Sequence, residues 1–218
     1  IPSKKGKTAV EYGVQNGVLK ITETKAASRS VYVDIDFLGE VLSGPKESET
    51  GITLYVPEKK VLKKIDIHME FGDIQMSGVQ AESGRVQNDD GDIVLSGCKM
   101  QKIKLEADYG DVELNSGTWE NGSIILDDGD VNIKNTKISG EVSVKNSYGD
   151  IDLELTKEDL EQLELMAETD FGEIDVPDSM EKKVQGEDEE QSFSYTPRQA
   201  AGRLSLTADD GDISIEND

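Results

Sequence analysis

The sequence repeats most clearly in residues 91–114, GDIVLSGCKMQKIKLEADYGDVEL, where the tripeptide Gly91-Asp92-Ile93 returns 19 residues later as Gly110-Asp111-Val112. Outward from there, a glycine followed by an acidic residue and a branched aliphatic residue recurs along the chain. The copies begin at Gly72, Gly91, Gly110, Gly129, Gly149, Gly172 and Gly211. Their gaps are 19, 19, 19, 20, 23 and 39 residues, and the last is about two periods. A fixed short period is typical of stacked backbone units that bury their apolar faces against each other.

Apolar residues keep one phase relative to each glycine. They stand seven and five residues before it and two and four residues after it, as Ile103, Leu105, Val112 and Leu114 do around Gly110. The residues between them are mostly polar or charged, and this alternation with period two is typical of half-buried strands. Each copy therefore predicts a strand, a glycine-centred bend, a second strand and a turn.

The constant spacing favours one fold class. Short strands that stack on their counterparts one copy later predict an all-β fold, a parallel β-solenoid (β-helix) built from repeats of about 19 residues. The core would then consist of ladders of like side chains about 4.8 Å apart. A sandwich or a meander would also alternate, but neither requires a constant spacing.

The residue directly before each glycine bears on the size of one coil. These residues are Phe71, Asp90, Tyr109, Asp128, Tyr148, Phe171 and Asp210. A 19-residue coil would stack rings on carboxylates, whereas repeats paired into coils of about 38 residues would stack like on like. Because solenoids favour ladders of like side chains, we favour the larger coil. We interpret the aromatic residues as edge packing, with an outward carbohydrate-stacking stripe as the alternative.

The ends of the chain depart from the repeat. Residues 1–60 hold degenerate copies and predict atypical N-terminal capping strands, and residues 61–218 predict the regular repeats. Residues 177–203 form an irregular acidic insertion with one possible strand at residues 192–195, and we interpret it as a surface excursion filling the extra period. We expect all of this to be one continuous domain. Residues 157–167 are the helix candidate, with Thr156 as N-cap, but alternation at Leu163 and Leu165 limits it to one turn.

The amino-acid composition limits the classes of molecule that the chain could bind. Hydrophobic residues make up 35% of the 218 residues, and the formal net charge is −23. That charge argues against nucleic acid and anionic surfaces, and it favours metal cations, cationic peptides or basic proteins. The one cysteine excludes an intrachain disulfide, and no apolar run is long enough to span a bilayer. Because the sequence starts at Ile1 without Met, we expect a signal peptide or membrane anchor upstream.

The acidic residue after each glycine is the sharpest local chemical signal. We favour a structural interpretation, in which the carboxylate accepts hydrogen bonds from nearby backbone N–H groups in an Asx-type turn. The alternative is a row of weak calcium sites, because stacked carboxylates repel each other and calcium prefers oxygen ligands. That row would be Asp73, Asp92, Asp111, Asp130, Asp150 and Asp212. No other cofactor is predicted.

Singular residues give little support to catalysis. A catalytic pair of carboxylates should break the pattern, whereas these carboxylates repeat, so we predict no catalytic residue and no enzyme activity. His68 lies at an outward-facing position of the alternation, so we predict that it is a surface histidine. We predict that Cys98 is an unreactive thiol in a turn. We predict that Trp119 caps a hydrophobic turn rather than forming a platform for a sugar.

A family resemblance adds to this picture. It is carried by the Gly-Asp-Ile-x-Leu step, by Leu54-Tyr55-Val56-Pro57 before Ile65-Asp66-Ile67, and by the terminal Gly211-Asp212-Ile213-Ser214-Ile215. Together these resemble the bacterial "putative adhesin" domain family of unknown function, in particular its LiaG-like members associated with cell-envelope stress. The resemblance covers about residues 50–218. It implies a β-solenoid, an extracytoplasmic or membrane-associated setting and no known catalytic residues.

These observations predict a non-enzymatic, extracytoplasmic, adhesin-like binding or scaffold domain of a bacterial cell-envelope protein. Its partner would be a protein, a cationic peptide or a cell-wall glycan, with no nucleic acid and no direct membrane contact by this segment. Two alternatives stay open. One is a calcium-dependent β-helix protein that binds or cleaves polysaccharide, and the other is a structural spacer or regulatory domain in an envelope-stress system.

Overall fold

The structure is a computed structural model that describes residues 10–15, 18–23, 31–37, 50–56, 60–180, 183–187 and 190–217. Contacts divide the chain into two units, Ile1–Ser30 and Val31–Asp218. In the first unit, β1 (Val10–Gln15) and β2 (Val18–Glu23) form an antiparallel hairpin. The capping role expected for residues 1–60 stays a prediction.

The second unit contains two sheets. The nine-stranded sheet is parallel throughout, and its spatial order is β4-β3-β7-β10-β12-β14-β16-β22-β18. Its strands are β3 (Val31–Phe37), β4 (Thr50–Val56), β7 (Ile74–Ser77), β10 (Ile93–Ser96), β12 (Val112–Asn115), β14 (Val131–Lys134), β16 (Ile151–Leu155), β18 (Ile174–Asp175) and β22 (Ile213–Asn217). The prediction of an all-β fold with parallel sheets is confirmed for the described residues.

The eleven-stranded sheet contains the strands that lie between these along the chain. Its central strands β11, β13, β15, β21 and β17 are parallel neighbours in that order. Its strands are β5 (Val61–Leu62), β6 (Ile65–Met69), β8 (Gln80–Ala81), β9 (Gly84–Asp90), β11 (Lys99–Tyr109), β13 (Thr118–Asp128), β15 (Lys137–Tyr148), β17 (Leu163–Phe171), β19 (Val184–Glu187), β20 (Glu190–Tyr195) and β21 (Gly202–Asp210). The chain alternates between the two sheets, so each copy contributes one short strand to the first and a longer stretch to the second.

The strand register fixes the size of one coil. Ile93 lies beside Ile74 on one side and Val112 on the other, so neighbouring rungs are 19 residues apart. The favoured coil of about 38 residues is therefore wrong. In the neighbouring sheet, Tyr109 lies beside Asp90 and Asp128. These side chains are exposed, so the rule that like packs on like, which holds for a dry core, does not constrain them.

The apolar ladders read from the sequence form the core. At most rungs, the residues five before and two and four after each glycine are buried, and Ile67 and Val176 are partly buried. The central rungs of these ladders are Val86, Leu105, Ile124 and Val144; Ile74, Ile93, Val112, Val131 and Ile151; and Met76, Leu95, Leu114, Ile133 and Leu153. Each rung removes branched aliphatic surface from water, which is the main stabilising term of such a stack.

The final copy lies out of sequence order. Strand β21 lies between β15 and β17, and β22 lies between β16 and β18. The glycines of the last three copies therefore follow each other in space as Gly149, Gly211 and Gly172. This exchange pairs β21 on both sides with parallel strands of the repeat.

The acidic insertion does more than fill a period. Residues 184–187 and 190–195 form β19 and β20, and β20 pairs antiparallel with β17 on the side away from β21. The strand expected at residues 192–195 is confirmed within β20, and this pairing makes the insertion part of the eleven-stranded sheet. Covering the outer side of β17 satisfies backbone groups that an open sheet edge would leave unpaired.

The other end of the nine-stranded sheet shows a similar exchange. Strand β3 pairs in parallel with both β4 and β7, so it lies between two strands that follow it in sequence. The short helix α1 (Lys157–Glu161) matches its prediction: Thr156 is the N-cap, and its Oγ1 accepts from the Asp159 N–H at 3.2 Å. Among the described helices, none has the length and apolar character needed to cross a membrane.

Candidate functional site: the Gly–Asp edge

The Gly–Asp edge is the set of turns where the eleven-stranded sheet passes its chain to the nine-stranded sheet. Gly72, Gly91, Gly110, Gly129, Gly149 and Gly211 have φ between +110° and +154° there. Neighbouring turns also approach closely, because a Cβ on Gly110 would lie 2.5 Å from the carbonyl oxygen of Gly91. Both the dihedral and the contact exclude any other residue without a shift of backbone.

The acidic residues after the glycines form a hydrogen-bonded ladder. The Asp92 N–H donates to Asp73 Oδ1 at 3.1 Å, and the Asp111 N–H donates to Asp92 Oδ1 at 3.0 Å. The same bond, 2.8–2.9 Å long, then links Asp130 to Asp111, Asp150 to Asp130, Asp212 to Asp150 and Glu173 to Asp212. The carboxylates accept backbone N–H groups as expected, but the prediction of an Asx-type turn is wrong. The acceptor belongs to the neighbouring coil, so the bond links coils rather than closing one turn.

Buried polar side chains support the same edge from inside. Asn88 Nδ2 donates to the carbonyl oxygens of Gly72 and Gly91 at 2.9 and 2.7 Å. Asn146 Nδ2 donates to Gly129 O at 2.8 Å, and Thr169 Oγ1 donates to Gly211 O at 2.9 Å. Sequence reasoning missed these residues. The sequence feature that could have revealed them is a polar residue three positions before the glycine, where the other copies have Met, Ala or Leu.

The calcium alternative concerns the aspartates of this ladder. Their Oδ1 atoms already accept backbone N–H groups, which lowers the mutual repulsion of neighbouring carboxylates without a metal. Among the residues that the structure describes, no three His, Cys, Asp or Glu side chains are grouped so as to hold a metal ion. Calcium binding by Asp73, Asp92, Asp111, Asp130, Asp150 and Asp212 stays a prediction.

An alternating row of rings and carboxylates lies beside the ladder. In spatial order it is Phe71, Asp90, Tyr109, Asp128, Tyr148, Asp210 and Phe171, and we call it the aromatic–acidic row. Its rings are 56–61% exposed. The interpretation as edge packing is therefore wrong: the position before each glycine faces outward. The alternation is complete only because the exchanged final copy places Asp210 between Tyr148 and Phe171.

A second acidic row flanks these rings. The position two before each glycine holds Glu70, Asp89, Asp108, Asp127, Ser147, Asp209 and Asp170 in spatial order. Two basic side chains reach this row in the described structure: His68 Nε2 lies 3.3 Å from Asp89 Oδ1, and Lys145 Nζ lies 3.1 Å from Asp209 Oδ1. The Gly–Asp edge thus combines exposed rings with many carboxylates and few cations.

The outer face of the nine-stranded sheet holds a shallow acidic groove. It is lined by Lys134, Asp152, Glu154, Ser214 and Glu216 among others. Burial and the nearby carboxylates of Asp150 and Asp130 raise the pKa of Asp152. Lys134 Nζ lies 3.8 Å from Glu154 Oε2, so the groove already contains its own counter-ion.

The singular residues have structural surroundings. Trp119 is 2% exposed, and its indole lies over Gly122, which lacks the side chain that would overlap it. The sugar-platform alternative is therefore wrong. Burial raises the pKa of the Cys98 thiol to about 11, well above neutral, which keeps it protonated and unreactive. His68 is exposed, as its phase predicts.

Comparison with known proteins gives one structural likeness and one family. The chain is similar to a crystal structure described as "a putative cell adhesion protein" from Clostridium sporogenes ATCC 15579, at 17% identity and a TM-score of 0.30, over 96% of this chain and 76% of that chain. Among curated proteins, none matches. A family model matches residues 1–216. The resemblance to a family of unknown function is thereby confirmed, and the chain belongs to the Toastrack DUF4097 family.

Proposed function

We propose that this chain is a non-enzymatic, adhesin-like binding and scaffold domain. The observation that supports this best is the continuous Asp-to-backbone ladder along the Gly–Asp edge. The ladder uses the most repetitive carboxylates of the chain to hold coils together. The rows next to it remain exposed and able to contact a partner.

The scaffold in this proposal is a β-solenoid with a coil of about 19 residues and ends closed by strands that lie out of sequence order. A rigid stack presents its outward rows at a fixed spacing, as other repeat proteins present extended binding surfaces. The proposal assigns no catalysis, because Trp119 and Cys98 are buried in structural surroundings and the exposed His68 pairs with one member of a repeating acidic row.

We place this domain outside the cytoplasm, on a bacterial envelope protein. The resemblance stated from the sequence supports that location. The net charge of −23 fits a partner that carries positive charge, since anionic polymers would be repelled.

Calorimetric titration tests the binding function. The intact chain would be titrated with basic peptides and with cell-wall glycan fragments, each at low and at moderate salt. We expect binding to at least one class, and binding of basic peptides should weaken with salt because screening shortens the range of surface charges. Absence of binding in every arm would leave a spacer role and would overturn the proposal.

The calcium-dependent alternative has its own test. A calcium-dependent polysaccharide-binding or -cleaving protein should lose thermal stability when EGTA replaces calcium. A melting temperature that rises no more with millimolar calcium than with millimolar magnesium would remove that alternative.

A further inference from the structure

The spacing of the aromatic–acidic row is set by the strands beneath it. Neighbouring parallel strands lie about 4.8 Å apart, so rings on alternate coils recur about every 9.6 Å with one carboxylate midway. The row runs from Phe71 to Phe171 over seven coils, which corresponds to about 29 Å. Such a regular exposed set of rings has no role in the core, because more than half of each ring is in water.

The chemistry of the row selects a cationic ligand. An aromatic face attracts a Lys or Arg cation through its quadrupole, and a carboxylate beside it adds charge-assisted hydrogen bonds. The flanking residues Asp89, Asp108 and Asp127 extend the negative potential along the same line. An anionic partner would be repelled, and a purely apolar partner would have to desolvate these carboxylates.

The spacing also selects the conformation of that ligand. An extended β-strand points successive side chains to opposite faces, so its every third residue, although about 10 Å away, would face alternately toward and away from the row. A polyproline II segment has three residues per turn and rises about 3.1 Å per residue, so every third side chain faces the same way at intervals of about 9.3 Å. This interval matches the distance of about 9.6 Å between rings on alternate coils.

We propose that the aromatic–acidic row binds a basic segment of a protein partner in the polyproline II conformation, with a Lys or Arg at every third position. Each cation lies between two rings and over one of the carboxylates Asp90, Asp128 and Asp210. A segment of about nine residues spans the row, because about 29 Å divided by about 3.1 Å per residue gives that length. This inference deepens the proposed function and rests on it.

The test uses two peptides and three forms of the intact chain. One nine-residue peptide carries arginine at every third position among Ser and Thr. The control peptide has the same composition with its three arginines adjacent. The variant Tyr109→Ser/Tyr148→Ser removes two exposed rings without changing charge. The matched control Ile125→Ser removes an exposed apolar side chain from the outer face of the eleven-stranded sheet.

We expect the spaced peptide to bind the unmodified chain more tightly than the adjacent-arginine peptide. The double tyrosine variant should weaken that binding about tenfold, since it removes the cation–π contacts of two of the four rings. The Ile125→Ser control should bind as the unmodified chain does. Circular dichroism melting of both variants establishes that they are folded.

Other results would overturn the inference in distinguishable ways. Equal binding of both peptides, or unchanged binding by the tyrosine variant, would overturn the row as the site while leaving a binding function in place. Glycan binding that depends on the two tyrosines, without peptide binding, would assign the row to a sugar and also overturn it. No binding to peptide or glycan would overturn both this inference and the proposed function.

Discussion

Each coil has two turns, and the two resulting rows of turns reverse the chain with different backbone conformations. At the Gly–Asp edge, six of the glycines have φ of +110° or more, and neighbouring turns nearly touch. In the opposite turns, six residues after the glycine, Gly78, Gly97, Ser116 and Asn135 have φ between +48° and +64°. That region is the ordinary left-handed one, which Ser and Asn reach at modest cost. The difference explains why one row keeps its glycine and the other varies.

The two rows also differ in what their side chains do. The carboxylates of the Gly–Asp edge bond to backbone N–H groups of the next coil, whereas the opposite turns use short buried side chains. Thr136 Oγ1 donates to Lys134 O at 3.0 Å, and Cys98 occupies the equivalent position two repeats earlier. The opposite turns carry lysines such as Lys99 and Lys137, whereas the Gly–Asp edge carries the repeating rows of carboxylates. Stability and partner binding should therefore both depend more on the Gly–Asp edge.

The largest expected difference is between the losses of stability that a Gly→Ala substitution causes at the Gly–Asp edge and in the opposite turns. Gly110→Ala should lower the free energy of unfolding by about 3–5 kcal/mol, because the strained φ and the overlap with Gly91 O act together. Gly97→Ala should cost only about 1 kcal/mol, since its φ is +62° and the nearest atom to the new Cβ is 3.8 Å away. Urea unfolding of both variants measures the two values.

A matched m-value in these urea experiments is the control for a changed unfolded state. Equal losses at Gly110 and Gly97 would contradict the distinction between the two rows of turns.

The second prediction concerns the Asp ladder. Asp111→Ala should lower the free energy of unfolding by about 1–2 kcal/mol, because the Asp130 N–H loses its charged acceptor. Asp111→Asn keeps an oxygen at that place and should lose less. Asp108→Ala, an exposed acidic residue in the flanking row, should stay within about 0.5 kcal/mol of the parent chain. Similar losses for Asp108→Ala and Asp111→Ala would show that the ladder does not stabilise the stack.

The third prediction concerns Cys98, a buried residue of the opposite turns. Burial raises its pKa from 9.0 to about 11, so the folded chain holds this proton between those values while the unfolded chain releases it. Its contribution to stability is complete below pH 9 and is lost as the pH rises toward 11. The measurement is the difference between the parent chain and Cys98→Ala, which cancels the contributions that the two chains share. A difference that stays constant from pH 8 to 11 would contradict the burial of this thiol.

The smallest expected effect is that of divalent cations on the acidic edge. Millimolar calcium should raise the melting temperature by only a few degrees, and magnesium should do the same, because both screen repulsion within a chain of net charge −23. Asp111→Asn should leave this rise largely intact. A rise specific to calcium and abolished by Asp111→Asn would instead support a row of calcium sites.

The sequence was informative wherever a position repeats. The buried ladders, the glycine turns and the one-turn helix at Thr156 follow from periodicity and capping chemistry. Coil size was misjudged because the row before the glycine was assumed to pack like on like, although its rings face water. Local periodicity cannot distinguish an inward from an outward position at a turn, where the alternation of the strands is interrupted.

The exchange of the final copy could not be derived from the ladders. Every copy offers the same aliphatic residues at the same phase, so several stacking orders bury the same surface. One signal did exist, since Phe71, Asp90, Tyr109, Asp128 and Tyr148 alternate and only Phe171 breaks the series. Placing Asp210 before Phe171 restores it. The buried amides of Asn88 and Asn146 were missed because their position is apolar in the other copies except at Thr169.

The stacking order is the central claim, and a disulfide measures it directly. In the structure, Lys145 lies beside Thr207, and Thr207 lies beside Glu168. In a Cys98→Ala background, Lys145→Cys/Thr207→Cys therefore joins neighbours about 4.8 Å apart, whereas Lys145→Cys/Glu168→Cys joins strands about 9.6 Å apart, beyond the reach of a disulfide. Mass spectrometry after mild oxidation should find an intramolecular disulfide in the first pair and free thiols in the second. The reverse result would place the copies in sequence order and contradict the account.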